Sequence, residues 1–160
     1  MKPADVLSPD PAGGAESGNS WFAGLVPNAV ALRCLSVELR APRKIVVGES
    51  AAFVLRVRNR APFPLSVRLP TSRLWGWDVD GIPDADERGF EPPKKPRRVA
   101  FRRHGVRQFE GTWDGQVRRG GTDGDEWQAL TGEHTLTGYL SGHENSPKLQ
   151  DDVEILVVRR

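Results

Sequence analysis

The residues that could carry chemistry are few and lie far apart in the sequence. The 160 residues contain no Gly-x-Ser-x-Gly elbow, no phosphate-cradling glycine loop and no His-Glu-x-x-His pair. The histidines, His104, His134 and His143, are dispersed, so they could share a zinc ion only if the fold gathered them. Cys34 is the sole cysteine, which excludes an intrachain disulfide and a thiolate metal cluster. We therefore predict no catalytic residues, no cofactor and no metal site, in a chain that is not an enzyme.

An acidic stretch is the best candidate for a metal ligand set. Carboxylates alternate in Asp78-Val79-Asp80-Gly81, and Asp84, Asp86 and Glu87 follow closely. Carboxylate oxygens suit a hard cation such as calcium, but this spacing differs from that of the EF-hand loop. We expect a solvated acidic loop, and the sequence alone leaves calcium binding open.

A run of basic residues is the strongest candidate for a binding surface. The stretch from Lys94 to Arg107 holds seven basic residues, and the stretch from Asp78 to Glu91 before it holds six acids. On a strand such blocks are most often a solvated face. Otherwise they attract an oppositely charged partner or pair with each other, with Ile82 and Phe90 as apolar anchors of the loop. The binding residues that we predict are Arg97, Arg98, Arg102, Arg103 and Phe90.

The aromatic residues allow two interpretations. Indoles beside a basic run could form a stacking platform for single-stranded nucleic acid, whereas indoles at alternate strand positions more often fill a core. The aromatic residues in question are Trp75, Trp77, Trp113, Trp127, Phe90 and Phe101.

The elements that would position these residues are β-strands. Apolar residues alternate with polar ones in Leu35–Arg40, 52–59 and 65–69, which is typical of strands with one buried face. Further strands are predicted at 75–79, at 134–140 and at 153–158, and a hairpin of 97–101 with 106–113 about His104-Gly105. Residues 115–126 are predicted to form an acidic, Gly-rich loop. Seven to eight strands without a helical period predict an all-β, immunoglobulin-like antiparallel sandwich.

The N-terminal region differs in composition from the rest. Residues 1–20 are rich in Pro, Ala, Gly, Ser and Asp, and no apolar region of a signal peptide follows Lys2. Residues 21–32 are apolar but are too short to span a bilayer and are interrupted by Pro27. We expect this stretch to pack against the edge of the domain, and the alternative is an amphipathic contact with a membrane or a partner. We predict a disordered or loosely packed tail over 1–32, a sandwich domain over 33–160, no membrane span and, from the cysteine usage, a soluble cytoplasmic protein.

Several short motifs resemble an intracellular family. Val47-Gly48-Glu49, the strand Phe53 to Asn59 and Pro64-Leu65-Ser66-Val67 resemble the opening of the immunoglobulin-like domain of the proteinase inhibitor BsuPI family, and Trp113-Asp114, Gly132 and Gly138-Tyr139-Leu140 resemble its closing strands. The likeness covers about residues 45–140 and extends to archaeal proteins of the same design. Gly132 is followed by Glu133 and His134 instead of the usual Gly-x-Tyr, and the charged segment between Trp77 and Val99 is longer than in that family.

These patterns predict a protein-interaction module with an unidentified protein partner. The resemblance implies that this partner is a proteinase which the domain inhibits. The alternative is a nucleic-acid-binding domain that uses the basic hairpin 94–107 and the neighbouring aromatic residues. The sequence does not specify the oligomeric state.

Overall fold

A computed structural model describes residues 24–71, 73–82, 95–121, 124–140 and 149–160. These residues form one short helix and eleven strands. The helix is α1 (Asn28–Arg33); the strands are β1 (Leu35–Arg40), β2 (Lys44–Val46), β3 (Ala51–Asn59), β4 (Leu65–Leu69), β5 (Trp75–Val79), β6 (Arg97–Phe101), β7 (Val106–Trp113), β8 (Gln116–Gly121), β9 (Gly124–Ala129), β10 (Gly132–Leu140) and β11 (Gln150–Val158).

Two sheets form the layers of a sandwich. One has the order β1-β3-β7 and is antiparallel, and the other has the order β2-β11-β10-β5, in which β2 runs parallel to β11. The inner face of β10 closely approaches the first sheet, since a Cβ at Gly138 would lie 2.8 Å from Leu55 Cδ1 and 3.1 Å from Leu39 Cδ1. The alternate residues of both sheets that point inward form one apolar core. The predicted all-β, immunoglobulin-like sandwich is confirmed, with more strands than the seven to eight expected.

The predicted hairpin of 97–101 with 106–113 is wrong. Both strands exist, but β6 pairs with β4 and β7 pairs with β3, so the intervening turn joins two different sheets. Val99 and Phe101 are buried and lie opposite Val67 and Leu65 of β4. Their alternation along β6 therefore reflects packing with β4. The predicted basic hairpin 94–107 is therefore a strand of one sheet, a turn and the start of a strand of another.

The stretch 115–126 was predicted to be a loop, but most of it is a strand pair. β8 and β9 pair antiparallel from Gln116↔Ala129 to Gly121↔Gly124. Only Val117 is buried among the side chains that the structure describes in β8, so the pair lacks the apolar alternation by which other strands were recognised.

Helix α1 places residues before 33 in the core. Ala31 and Leu32 are fully buried, although they precede the boundary predicted at residue 33. The division into a tail and a domain stays a prediction. The Asn28 side chain fixes this helix to the sheet edge, because its amide accepts from Arg68 N (2.7 Å) and donates to Arg68 O (3.1 Å), as a neighbouring strand would. Of the predicted tail, residues 1–23 lie outside the described residues. No helix in the described ranges is long and apolar enough to cross a membrane.

Candidate interaction surface

Four of the five predicted binding residues are exposed and lie on β6 and in the turn after it. Arg97 and Arg98 are exposed on β6, and Arg102 and Arg103 are exposed in the turn between β6 and β7. Phe90 lies outside the described residues, as do four of the six acids from Asp78 to Glu91 that were predicted to pair with the basic run. Ile82 is half-buried and forms a bridge with Val79.

An apolar groove opens beside Arg103. It has a volume of about 880 Å³ and lies between the start of α1 and the loop from β3 to β4. Its lining residues are Leu25, Val26, Pro27, Val30, Pro62, Phe63, Pro64 and Arg103.

The groove gathers apolar side chains that remain in water. Leu25 is 65% exposed, Val30 is 45% exposed and Phe63 is 41% exposed. They are half of the six large exposed apolar residues in the described chain, and the other three, Val106, Trp127 and Leu156, do not line the groove. Apolar side chains that converge on one concave surface indicate a contact site, whereas scattered ones need no explanation.

Asn59 holds the two loops that border this groove. Its side chain is fully buried and accepts from Ala61 N (2.9 Å) while its amide donates to Phe63 O (2.9 Å) and Arg102 O (3.0 Å). A further bond runs from His104 N to Ala61 O (3.4 Å). Because one side chain bonds to both loops, it fixes Phe63 and Arg103 relative to each other.

The segments around the groove carry bases and no acids. Residues 24–34, 59–71 and 95–107 comprise α1, β4, β6, their adjoining loops, the last residue of β3 and the first two of β7, and they contain no Asp or Glu. We call them the basic end. Their basic residues are Arg33, Arg60, Arg68, Lys95, Arg97, Arg98, Arg102, Arg103 and Arg107.

Two arginines of the basic end lie directly opposite each other. Arg68 of β4 and Arg98 of β6 are cross-strand partners, and both are exposed. Arg68 gives its backbone N and O to Asn28, so its pair with Arg98 is of the non-hydrogen-bonded kind, in which facing side chains lie closest. Among the described residues no ion pair involves either guanidinium.

Most of the described aromatic residues fill the core, which is the second of the two interpretations given above, and Phe90 lies outside the described residues. Trp75, Trp77 and Trp113 are buried in the core, as is Phe101. Phe53 packs against Trp77 with ring centroids 5.1 Å apart, and Trp75 stacks on Phe109 at 5.8 Å. Trp75 and Trp77 alternate along β5 because their side chains point into the core. Trp127 is 43% exposed, but it lies on β9, which is not part of the basic end.

Asp80, one of the acids proposed as metal ligands, follows β5 and uses both of its carboxylate oxygens in hydrogen bonds. Asp80 and Gly81 both have positive φ (52° and 76°) and form a tight turn that returns the chain to Ile82. Asp80 Oδ1 accepts from Thr135 N (2.8 Å), and Oδ2 lies 2.6 Å from His134 Nδ1. His134 Nε2 faces Thr131 O at 3.0 Å, so both ring nitrogens face acceptors.

Two neighbouring carboxyls in this turn have pKa values shifted in opposite directions. Burial acts to raise the pKa of Asp80, but the hydrogen bonds from Thr135 and His134 and the charge of His134 outweigh it and hold the pKa below its usual value. Burial, with Asp152 and Asp80 nearby, raises the pKa of Asp78 against the hydrogen bond from Gly81 N. Within the described ranges no group of three or more His, Cys, Asp or Glu could hold a metal ion, and Asp84, Asp86, Glu87 and His143 lie outside those ranges.

A family model matches residues 23–158 of the sequence. The chain belongs to DUF7974, a family of unknown function. The DUF7974 match begins before α1, so it includes the groove residues from Leu25 onward that the predicted domain boundary left in the tail. The family that matches is not the BsuPI family, and the resemblance to BsuPI stays a prediction. No curated protein matches the sequence.

Solved structures of several kinds are similar to this DUF7974 chain. The CARDB domain of a Pyrococcus furiosus protein, solved with di-metal ions, is 13% identical with a TM-score of 0.46, covering 78% of this chain and 87% of that one. A β-glucosidase from Listeria innocua is 12% identical with a TM-score of 0.46, covering 78% and 16%. An alkylpurine DNA glycosylase from Pseudomonas fluorescens, bound to DNA, is 15% identical with a TM-score of 0.45, covering 81% and 33%. The fold assignment rests on the sheet topology of the chain itself.

Sequence reasoning found Arg103 but missed the apolar groove beside it. Leu25 and Val30 lie in the apolar stretch 21–32, for which a partner contact was one of two interpretations, and Phe63 follows in a turn. The one available signal was that these large apolar residues fall outside every predicted strand.

Proposed function

We propose that this chain is a non-enzymatic interaction module that binds an apolar segment of a protein partner in the groove between α1 and the loop from β3 to β4. The observation that carries the proposal is the convergence of Leu25, Val30 and Phe63, all exposed, on one concave surface. Burying such side chains contributes about 25 cal/mol per Å² of apolar surface, which gives a partner a reason to bind there.

The hydrogen bonds that hold the groove walls, and the side chains that line it, favour binding over catalysis. Asn59 and Asn28 fix its two walls through backbone hydrogen bonds, so little ordering is needed when a partner binds. The lining consists of aliphatic, aromatic and proline side chains with Arg103 as the one ionisable group, which supplies contacts but no acid–base pair.

A display experiment tests this proposal. The full chain is immobilised, peptides are selected from a random display library, and the dissociation constants of the synthesised peptides are measured. We expect the Phe63→Ser variant to weaken the selected peptides at least about tenfold, because a central apolar anchor is lost. Leu156→Ser is the matched control, because Leu156 is also 41% exposed and lies on β11. Failure to select any peptide, or equal losses in the two variants, would contradict the proposal.

Proteinase inhibition is a finer form of this function and stays a prediction from the BsuPI resemblance. The test is to add the purified chain to a serine proteinase in about tenfold excess, and full retention of proteinase activity would contradict the prediction of inhibition. Cytoplasmic location stays a prediction from the single cysteine.

A further inference from the structure

We infer that the segment bound in the groove is acidic, with its carboxylates facing the basic end and one anchoring position at the Arg68–Arg98 pair. This inference rests on the proposed function and names the chemistry of its partner. It draws on the charge and register of the basic end, which are separate from the apolar lining of the groove.

The distribution of charge supports an acidic segment. The three segments that contribute lining residues to the groove hold nine basic residues and no acid, although the whole chain has 23 basic and 21 acidic residues. On β1 and β3 charges of opposite sign lie together: Glu38 is 2.9 Å from Arg40 and 3.5 Å from Arg56. The basic end therefore differs from an ordinary solvated face with alternating charges.

The Arg68–Arg98 pair is costly unless an anion binds between its members. Like charges directly opposite on neighbouring strands destabilise a sheet, and a non-hydrogen-bonded pair brings them closest. A carboxylate placed between two guanidinium groups would relieve this repulsion and accept charge-assisted hydrogen bonds from both. The backbone of Arg68 is fixed by Asn28 through two hydrogen bonds, which holds the pair in position.

A protein segment suits this surface better than nucleic acid does. Single-stranded nucleic acid needs aromatic faces on which bases stack, and Trp75, Trp77, Trp113 and Phe101 are buried in the core. Phe63 is the one aromatic residue among the groove lining, and the rest of the lining, apart from Arg103, is aliphatic or proline. An acidic segment with apolar side chains satisfies the groove and the arginines together.

Matched synthetic peptides test the inference. All carry the same two Phe-Leu pairs, and their remaining positions are Glu, Gln or Lys. On the full chain at low salt, we expect the Glu peptide to bind at least about tenfold more tightly than the Gln peptide and the Lys peptide to bind most weakly. The doubly substituted R68Q/R98Q chain should lose most of the Glu peptide's advantage. The R43Q/K44Q chain, with the same change in net charge at two exposed positions in and beside β2, should keep it.

The outcomes separate this inference from the proposed function. If the Glu and Gln peptides bind equally and Phe63→Ser weakens both, the groove binds apolar segments but the acidic partner is wrong. If no peptide responds to Phe63→Ser, the proposed function fails. An oligothymidine that binds more tightly than the Glu peptide and depends on Arg68 and Arg98 would assign the basic end to nucleic acid and overturn the inference. The full chain is used throughout, so the acids of residues 84–91 are present in every measurement.

Discussion

Asn59 is the residue on which the geometry of the groove depends. It ends β3, is fully buried, and is the one buried polar side chain among the described residues. Its three side-chain hydrogen bonds reach Ala61, Phe63 and Arg102, so it connects the loop after β3 to the turn after β6. The sequence predicts that Asn59 is the last residue of a strand before a proline-rich turn. It does not reveal the hydrogen bond to Arg102 O, which is some 40 residues further along the chain.

We predict that Asn59→Ala lowers the free energy of unfolding by about 2–4 kcal/mol, because three backbone groups lose their partner, at least one of them buried. Asn59→Asp should cost at least as much as Asn59→Ala, because it can still accept from Ala61 N but buries a carboxylate against the Phe63 and Arg102 carbonyl oxygens. Urea unfolding followed by tryptophan fluorescence measures both. Equal stability of Asn59→Ala and the wild type would show that these bonds do not hold the loops.

Asp80 should make stability depend on pH in the acid range. Its pKa in the fold is below its ordinary value of 3.8, so the folded state binds the proton more weakly than the unfolded state. Its stabilising contribution is therefore complete above that value and is lost as the pH falls through the lower folded value. Asp78, whose pKa is raised, contributes in the opposite direction, because folding favours its protonated form.

We predict that Asp80→Asn destabilises the chain at about pH 5–6 and that the difference from the wild type shrinks steadily below about pH 4. Thermal unfolding across this range measures the difference. Glu133→Gln, an exposed acid on β10, is the control and should show no comparable convergence. A difference that stays constant down to about pH 2 would show that Asp80 does not act through its charge.

At the scale of elements, the strands that the sequence predicts all exist, β6 and β7 included, whereas β2, β8, β9 and α1 were not predicted. β1, β3, β4, β5, β10 and β11 bury alternate residues, which the sequence displays directly. β2 has three residues and pairs in parallel with β11, the last strand of the chain, so no local pattern marks it. The hairpin of β6 with β7 was wrong because a short turn between strands is equally compatible with a step from one sheet to the other. The six residues of α1 are too few to show a helical period.

The β4–β6 pair gives a prediction in which stability and binding change in opposite directions. Arg98→Glu places a carboxylate opposite Arg68, so the free energy of unfolding should rise by about 0.2–1 kcal/mol, while the Glu peptide should bind several-fold more weakly. Arg56→Glu is the control, because it places a second acid opposite Glu38 and should lower stability without weakening the peptide. Loss of stability in Arg98→Glu would mean that the arginine pair is not under repulsion.

At the scale of the whole molecule, charge is segregated although the net charge is only +2. The outer face of the β5, β10 and β11 strands carries Asp78, Asp152 and Glu154, with Asp78 and Asp152 in one row on either side of Thr137. The basic end carries the opposite sign. Net charge and composition could not reveal this separation, because it arises only when α1, β4 and β6 are brought together from three parts of the sequence.

This separation predicts how association depends on salt. A field of one sign around the groove accelerates the encounter with an acidic segment, whereas the apolar contacts that hold the complex are not screened. We therefore expect the association rate constant of the Glu peptide to fall about tenfold or more between about 20 mM and 500 mM salt, with a much smaller change in the dissociation rate constant. Stopped-flow fluorescence with a labelled peptide measures both. The R68Q/R98Q chain should show a shallower dependence than the R43Q/K44Q chain, and identical salt dependences would show that the basic end does not steer the partner.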